Sequence, residues 1–112
     1  MREIKFSFWD IPHQKMISWE DAFKAGGKFS DLIETSMWIP RQYTGLKDKN
    51  GKEIYEGDIL KQGGLVVKVG WNNEWSRWDF YITRNGIDIL ATDADKFEVI
   101  GNIYENPELL KV

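Results

Sequence analysis

The chain has no cysteine in its 112 residues. That excludes a disulfide framework, a thiolate zinc site and a cysteine nucleophile, and it suits a reducing compartment. It has one histidine, His13, set in a proline-containing turn with no serine nucleophile or second metal-ligand candidate beside it. General-base catalysis needs an orienting partner as well as the base, so His13 reads as a solvated turn residue. No run approaches eighteen apolar residues, and the N-terminal "MREIKFSFWD" alternates charge with bulk where a signal peptide would carry an unbroken apolar core. The expectation is a cytoplasmic protein without a membrane segment.

No block is strongly basic either. Residues 1–40 hold five basic and six acidic side chains, 41–61 five and four, and 62–112 five and eight, for a formal net charge of −3. Duplex binders replace condensed counterions with a basic footprint, so this balance disfavours nucleic acid as a partner without removing a local patch.

What is present is period two. Ile4, Phe6 and Phe8 alternate with Glu3, Lys5 and Ser7, the pattern of a half-buried strand. Residues 10–13 read as a turn and 15–19 as the returning strand. Ser18 followed by Asp21 resembles a helix start for residues 20–25, ended by Gly26-Gly27. Pro40 is expected to end whatever element precedes it. Turn signals then recur at Asn50-Gly51, Glu56-Gly57-Asp58, Gly63-Gly64, Asn72-Asn73, Asn85-Gly86 and Asp93-Ala94-Asp95. Between them lie strands with Leu65, Val67, Val69 and Trp71 on one face, then Trp78, Phe80 and Ile82, then 87–90 and 97–100. The fold class expected is mainly β: an SH3-like small barrel over 42–112, ended by a helical turn with Asn106 as cap and Pro107 at its first position, plus a small N-terminal β lobe with short helical turns over 1–41. The two could share one core.

The stretch "QYTGLKDKNGKEIYEGDIL", residues 42–60, superficially resembles ligand loops. Five residues separate Gly45 from Gly51 where a P-loop has four, and Glu53 stands in place of the magnesium-binding hydroxyl residue. Asp48 and Asn50 suggest a calcium loop, but Lys52 and Ile59 occupy ligand positions. Asn50 and Gly51 therefore read as a hairpin turn with positive φ, and Gly57 and Asp58 as the next bend. No cofactor or metal is expected. The paired carboxylates Glu56/Asp58 and Asp93/Asp95 read as turn groups.

This stretch, the initial "MREIKFSFWD" and the terminal "FEVIGNIYENPELL" together resemble the signatures of the YopX family of phage and prophage proteins. The three blocks span nearly the whole chain. The chain departs from the pattern at Phe8, where members more often carry a small residue before Trp9. The resemblance implies a mainly β protein with an SH3-type barrel, encoded in phage or integrated phage genomes, with no established activity and no catalytic residues to carry over.

In "WNNEWSRWDFYIT", alternation assigns Trp75, Arg77, Asp79, Tyr81 and Thr83 to the face opposite Trp78, Phe80 and Ile82. Trp75, Arg77 and Tyr81 would then form an outward row suited to a protein interface, to self-association or to stacking of single-stranded bases. The alternative is that the N-terminal lobe covers them. The expectation is a non-enzymatic interaction or self-assembling protein, with a nucleic-acid-binding barrel as the competing class.

Overall fold

The computed structural model describes residues 3–24, 37–82 and 87–110. The chain divides into two compact units, Met1–Tyr43 and Thr44–Val112, with the boundary inside one long strand.

In the first unit, β1 (Phe6–Asp10) lies between β2 (Lys15–Ile17) and β3 (Trp38–Lys47), both antiparallel to it. Phe8 and Trp38 are buried with Ala22 of helix α1 (Trp19–Lys24), and Phe6, Ile17 and Trp19 pack around them. The rings of Phe8 and Trp38 lie 5.4 Å apart, the separation at which tilted aromatic pairs add to simple burial. Helix α1 starts as its sequence suggests: Ser18 Oγ accepts the Asp21 N–H at 3.1 Å, filling one of the donors that a first turn leaves open. Its expected stop at Gly26-Gly27 lies outside the described residues, as does the Asn85-Gly86 turn.

Three readings of this unit are corrected. Ile4 precedes the strand and is exposed. Ser7 and Trp9 are buried along with Phe8, so β1 is covered on both faces and is not half-solvated. Pro40 ends nothing; it sits inside β3. The bonds from Tyr43 N–H to Lys5 O and from Ile11 N–H to Met37 O place the hydrogen-bonded pairs of β1 and β3 at odd positions of β1. Pro40 faces Phe8, a non-hydrogen-bonded pair, so the N–H that proline lacks is not required there.

The second unit is mainly β, as expected of a small barrel. Its antiparallel sheet runs in the order β8-β7-β6-β5-β9, from β5 (Asp58–Gln62), β6 (Leu65–Asn72), β7 (Arg77–Ile82), β8 (Ile87–Leu90) and β9 (Glu98–Asn102). The short β4 (Glu53–Tyr55) neighbours β3. Val67, Val69, Trp78 and Phe80 come from the predicted inward faces and meet Ile54, Leu60, Ala94 and Phe97 in one core, with Leu65 and Ile82 packed against it. Each Val, Ile, Leu or Phe side chain so removed from water contributes on the order of 1.5–3 kcal/mol. Phe97 precedes β9 and meets Phe80 edge-on at 5.1 Å. Ile59 and Leu60 are adjacent and both fully buried, so β5 is covered on both faces there. Opposite them β9 carries one extra residue, Ile100, between the pairs Ile59↔Gly101 and Leu60↔Val99.

Pro107–Leu110 forms the terminal helical turn, as a 3-10 helix. The side chain of Asn106 does not cap it. Asn106 Oδ1 turns back to the N–H of Asn102 at 3.3 Å, and its backbone oxygen accepts from Leu109 at 3.1 Å. Gly101 makes room for this: a Cβ there would stand 2.5 Å from Asn106 Oδ1.

The hairpin from β3 to β4 turns through Asp48-Lys49-Asn50-Gly51. Gly51 N–H bonds Asp48 O at 3.0 Å, and Asp48 N–H bonds Lys52 O at 2.8 Å. Gly51 has φ +81°, whereas Asn50, expected to share the positive φ, does not. The geometry is a turn followed by one left-handed residue, for which only the second position of the Asn-Gly pair needs glycine. Gly51→Val is expected to lower stability by roughly 1 kcal/mol or more, because a β-branched residue is strained at positive φ. Gly64→Ala, at an open position without that φ, is expected to be near neutral. Urea unfolding of the two variants checks the contrast.

Candidate functional site

The residues of the 42–60 stretch build a frame. Asp48 is buried, and its carboxylate is filled by backbone donors: Oδ1 accepts from Asn50 at 2.8 Å and Lys52 at 2.9 Å, and Oδ2 accepts from Val99 at 2.9 Å. Burial pushes the Asp48 carboxyl up, but the N–H groups of Val99, Lys52 and Asn50, with the Lys52 charge, outweigh it and hold the pKa below the ordinary 3.8. Asp58 is buried likewise, and its Oδ2 accepts the Tyr55 N–H at 2.8 Å. Gly57, at φ +85°, donates to Val69 O and accepts from Ile103 N–H, each at 2.9 Å. These groups tie loops to strands.

A folded-state pKa below the unfolded value means that Asp48 adds stability above the unfolded value and loses it as pH falls through the folded one. In Asp48→Asn the amide NH2 would face the Val99 donor. The variant is expected to cost about 1.5–3 kcal/mol at neutral pH, the range for hydrogen bonds to a charged group. The gap from wild type should narrow below pH 3.8. Urea unfolding as a function of pH measures it, and a gap independent of pH would contradict this role for the charge.

His13 has a partner that its sequence context did not disclose. Asp10 Oδ2 lies 2.9 Å from His13 Nδ1, and Asp10 Oδ1 accepts the His13 N–H at 3.3 Å. The carboxylate is 7% exposed and the imidazole side chain 71%, so a buried acid orients an exposed ring. Asp93 stands 3.8 Å from Lys96, and both are exposed. Among the described residues, no three His, Asp or Glu side chains converge as a metal site would require.

The hairpin of β6 and β7 carries the remaining candidates. β7 begins at Arg77, so Trp75 belongs to the preceding turn, and Ser76 with φ 49° interrupts the alternation between them. Trp75, Arg77 and Tyr81 therefore do not form a continuous row. Tyr81 is half-buried, its ring lying where a Cβ on Gly70 would stand 2.6 Å away. Trp75 is 64% exposed, with the Arg77 guanidinium 5.7 Å from its ring centre, within cation–π range.

Two residues hold this pair in place: Asn72 and Asp79. Asp79 has no exposed surface; its Oδ1 accepts from Arg77 Nε and its Oδ2 from Asn72 Nδ2, each at 2.8 Å. Asn72 Oδ1 in turn accepts the N–H groups of Glu74 at 3.0 Å and Trp75 at 3.1 Å. One amide side chain thus connects the buried acid to the turn backbone. The Asn72-Asn73 pair announced the turn, but nothing in the sequence showed that Asn72 would reach Asp79. On the core side of the same hairpin, Trp71 meets Trp78 edge-on at 5.0 Å and is itself 37% exposed.

The fold and this hairpin define a mainly β protein with polar loop ties, whose Trp75 side chain is held 64% exposed. The YopX family model, described as YopX protein, matches residues 5–111. The chain belongs to the YopX family. It is similar to the crystal structure of protein EF1440 from Enterococcus faecalis, with a TM-score of 0.69 and 24% identity, over 99% of this chain and 100% of that one. That likeness is one of fold. No curated protein matches the chain. Among the described residues, no helix is long and apolar enough to cross a membrane.

Proposed function

We propose that this member of the YopX family is a phage- or prophage-type protein that acts in the bacterial cytoplasm without catalysis, as a protein-interaction or self-assembling module. The observation that carries this reading is Trp75, 64% exposed on a turn whose backbone is tied to a buried carboxylate. A large rigid aromatic side chain beside an arginine loses little conformational entropy on binding, and Trp and Arg are the residue types on which interface energy concentrates. Single-stranded nucleic acid would use the same pair by stacking. The net charge of −3 favours a protein partner over a polyphosphate.

Trp75→Ala is expected to change stability by no more than about 0.5 kcal/mol, as surface substitutions usually do. It should abolish recovery of the proteins that the wild type captures from infected host cells. Recovery equal to wild type would remove Trp75 from the interface. Salt-sensitive binding of an oligo-dT strand, lost in the same variant, would favour the nucleic-acid reading instead.

A further inference from the structure

The turn that presents Trp75 also carries its own complement. Glu74 precedes the indole and is exposed. Arg77 follows it; only its Nε is bonded to a described residue, Asp79, and its side chain is 41% exposed. The guanidinium therefore keeps its η donors, the pair that grips a carboxylate most strongly. The Glu74 carboxylate has no partner among the described residues, its backbone N–H alone being bonded, to Asn72. An acid, an exposed indole and a base thus occupy four successive positions of one held turn.

In a two-fold interface each residue pair occurs twice, residue i meeting j and j meeting i. With the axis beside Trp75, the two indoles would cover each other, and Arg77 of each copy would meet Glu74 of the other. We infer that this turn is a self-complementary contact, and that its occupant is a second copy of this chain. The inference rests on the proposed interaction role of Trp75 and adds the partner. Charge favours that partner: Asp79 uses only the Nε of Arg77, so the turn presents the Glu74 acid and the open η donors of Arg77 on either side of its apolar centre, and a partner of one sign would match only half of it.

The network beneath makes the contact pre-organised. Arg77 is aimed by the Nε bond to Asp79, and the backbone of Glu74 and Trp75 by Asn72. Little of the turn's freedom is left to lose on association.

Sedimentation equilibrium of the whole protein across the micromolar range, with circular dichroism of every variant, tests the inference. Wild type is expected to dimerise. Glu74→Arg sets like charges across the axis and should weaken the dimer tenfold or more, an order of magnitude set by like-charge repulsion at interfaces. Trp75→Ala should do the same. Glu108→Arg, an equal charge change at an exposed site outside this turn, should leave the dimer intact. Adding Arg77→Glu to Glu74→Arg restores opposite signs and should restore the dimer. If that doubled chain does not fold, the contrast of Glu74→Arg with Glu108→Arg decides alone.

A monomeric wild type, a dimer indifferent to Glu74→Arg, or a folded doubled variant that stays monomeric would each overturn the inference. A monomeric wild type that still captures host or phage proteins through Trp75 would overturn the partner alone and leave the interaction reading standing. Loss of both would end the two together.

Discussion

The carboxylate of Asp79 has no exposed surface, and the geometry of the β6–β7 hairpin end follows from satisfying it. A buried acid is costly unless hydrogen-bonded or paired, and Asp79 has both kinds of partner at 2.8 Å, the Asn72 amide and the Arg77 guanidinium. Placing Asn72 there aims its oxygen at the turn backbone, and placing Arg77 there brings its guanidinium to the Trp75 ring. Gly70, opposite Asp79 in the register, leaves space for the Tyr81 ring. The exposed indole is thus the outer end of a chain of contacts that starts at a buried charge.

The same solution recurs elsewhere in a chain that has no cysteine. Asp48 gathers three backbone N–H groups and joins the β3–β4 loop to β9. Asn102 Oδ1 accepts from Tyr104 at 3.0 Å and Glu105 at 2.8 Å, and Asn106 closes back onto Asn102. Side chains of Asp and Asn do this readily because a short acceptor two to four residues from a donor completes a turn. These residues lie in the blocks "QYTGLKDKNGKEIYEGDIL" and "FEVIGNIYENPELL", two of the three by which the sequence resembles the family. Their chemistry is that of loop closure.

Much of the barrel was legible because its core obeys alternation: Val67, Val69, Trp78 and Phe80 could be assigned to the interior from period two alone. The same rule failed wherever a second cover or a backbone irregularity intervened. β1 is buried on both faces, so Ser7 was misread as solvated. Ser76 at positive φ moved Trp75 out of the row that alternation drew for it. Pro40 was misread because the pairing phase that tolerates it depends on a partner strand more than thirty residues away. At the hairpin, Trp75 and Arg77 could be singled out by residue type, whereas Asn72 and Asp79 could not, because a hydrogen bond across seven positions is set by register and leaves no local pattern.

The Asp79–Asn72 link holds the Trp75 turn rigid. Amide hydrogen exchange at Glu74 and Trp75, in wild type and in Asp79→Ala, tests it most directly. Both amides are expected to be protected in wild type despite their exposed side chains, and to lose protection in the variant while Gly57, bonded to Val69 O, keeps its own. Exchange of both amides at unfolded-chain rates in wild type, or equal protection in the two proteins, would contradict it.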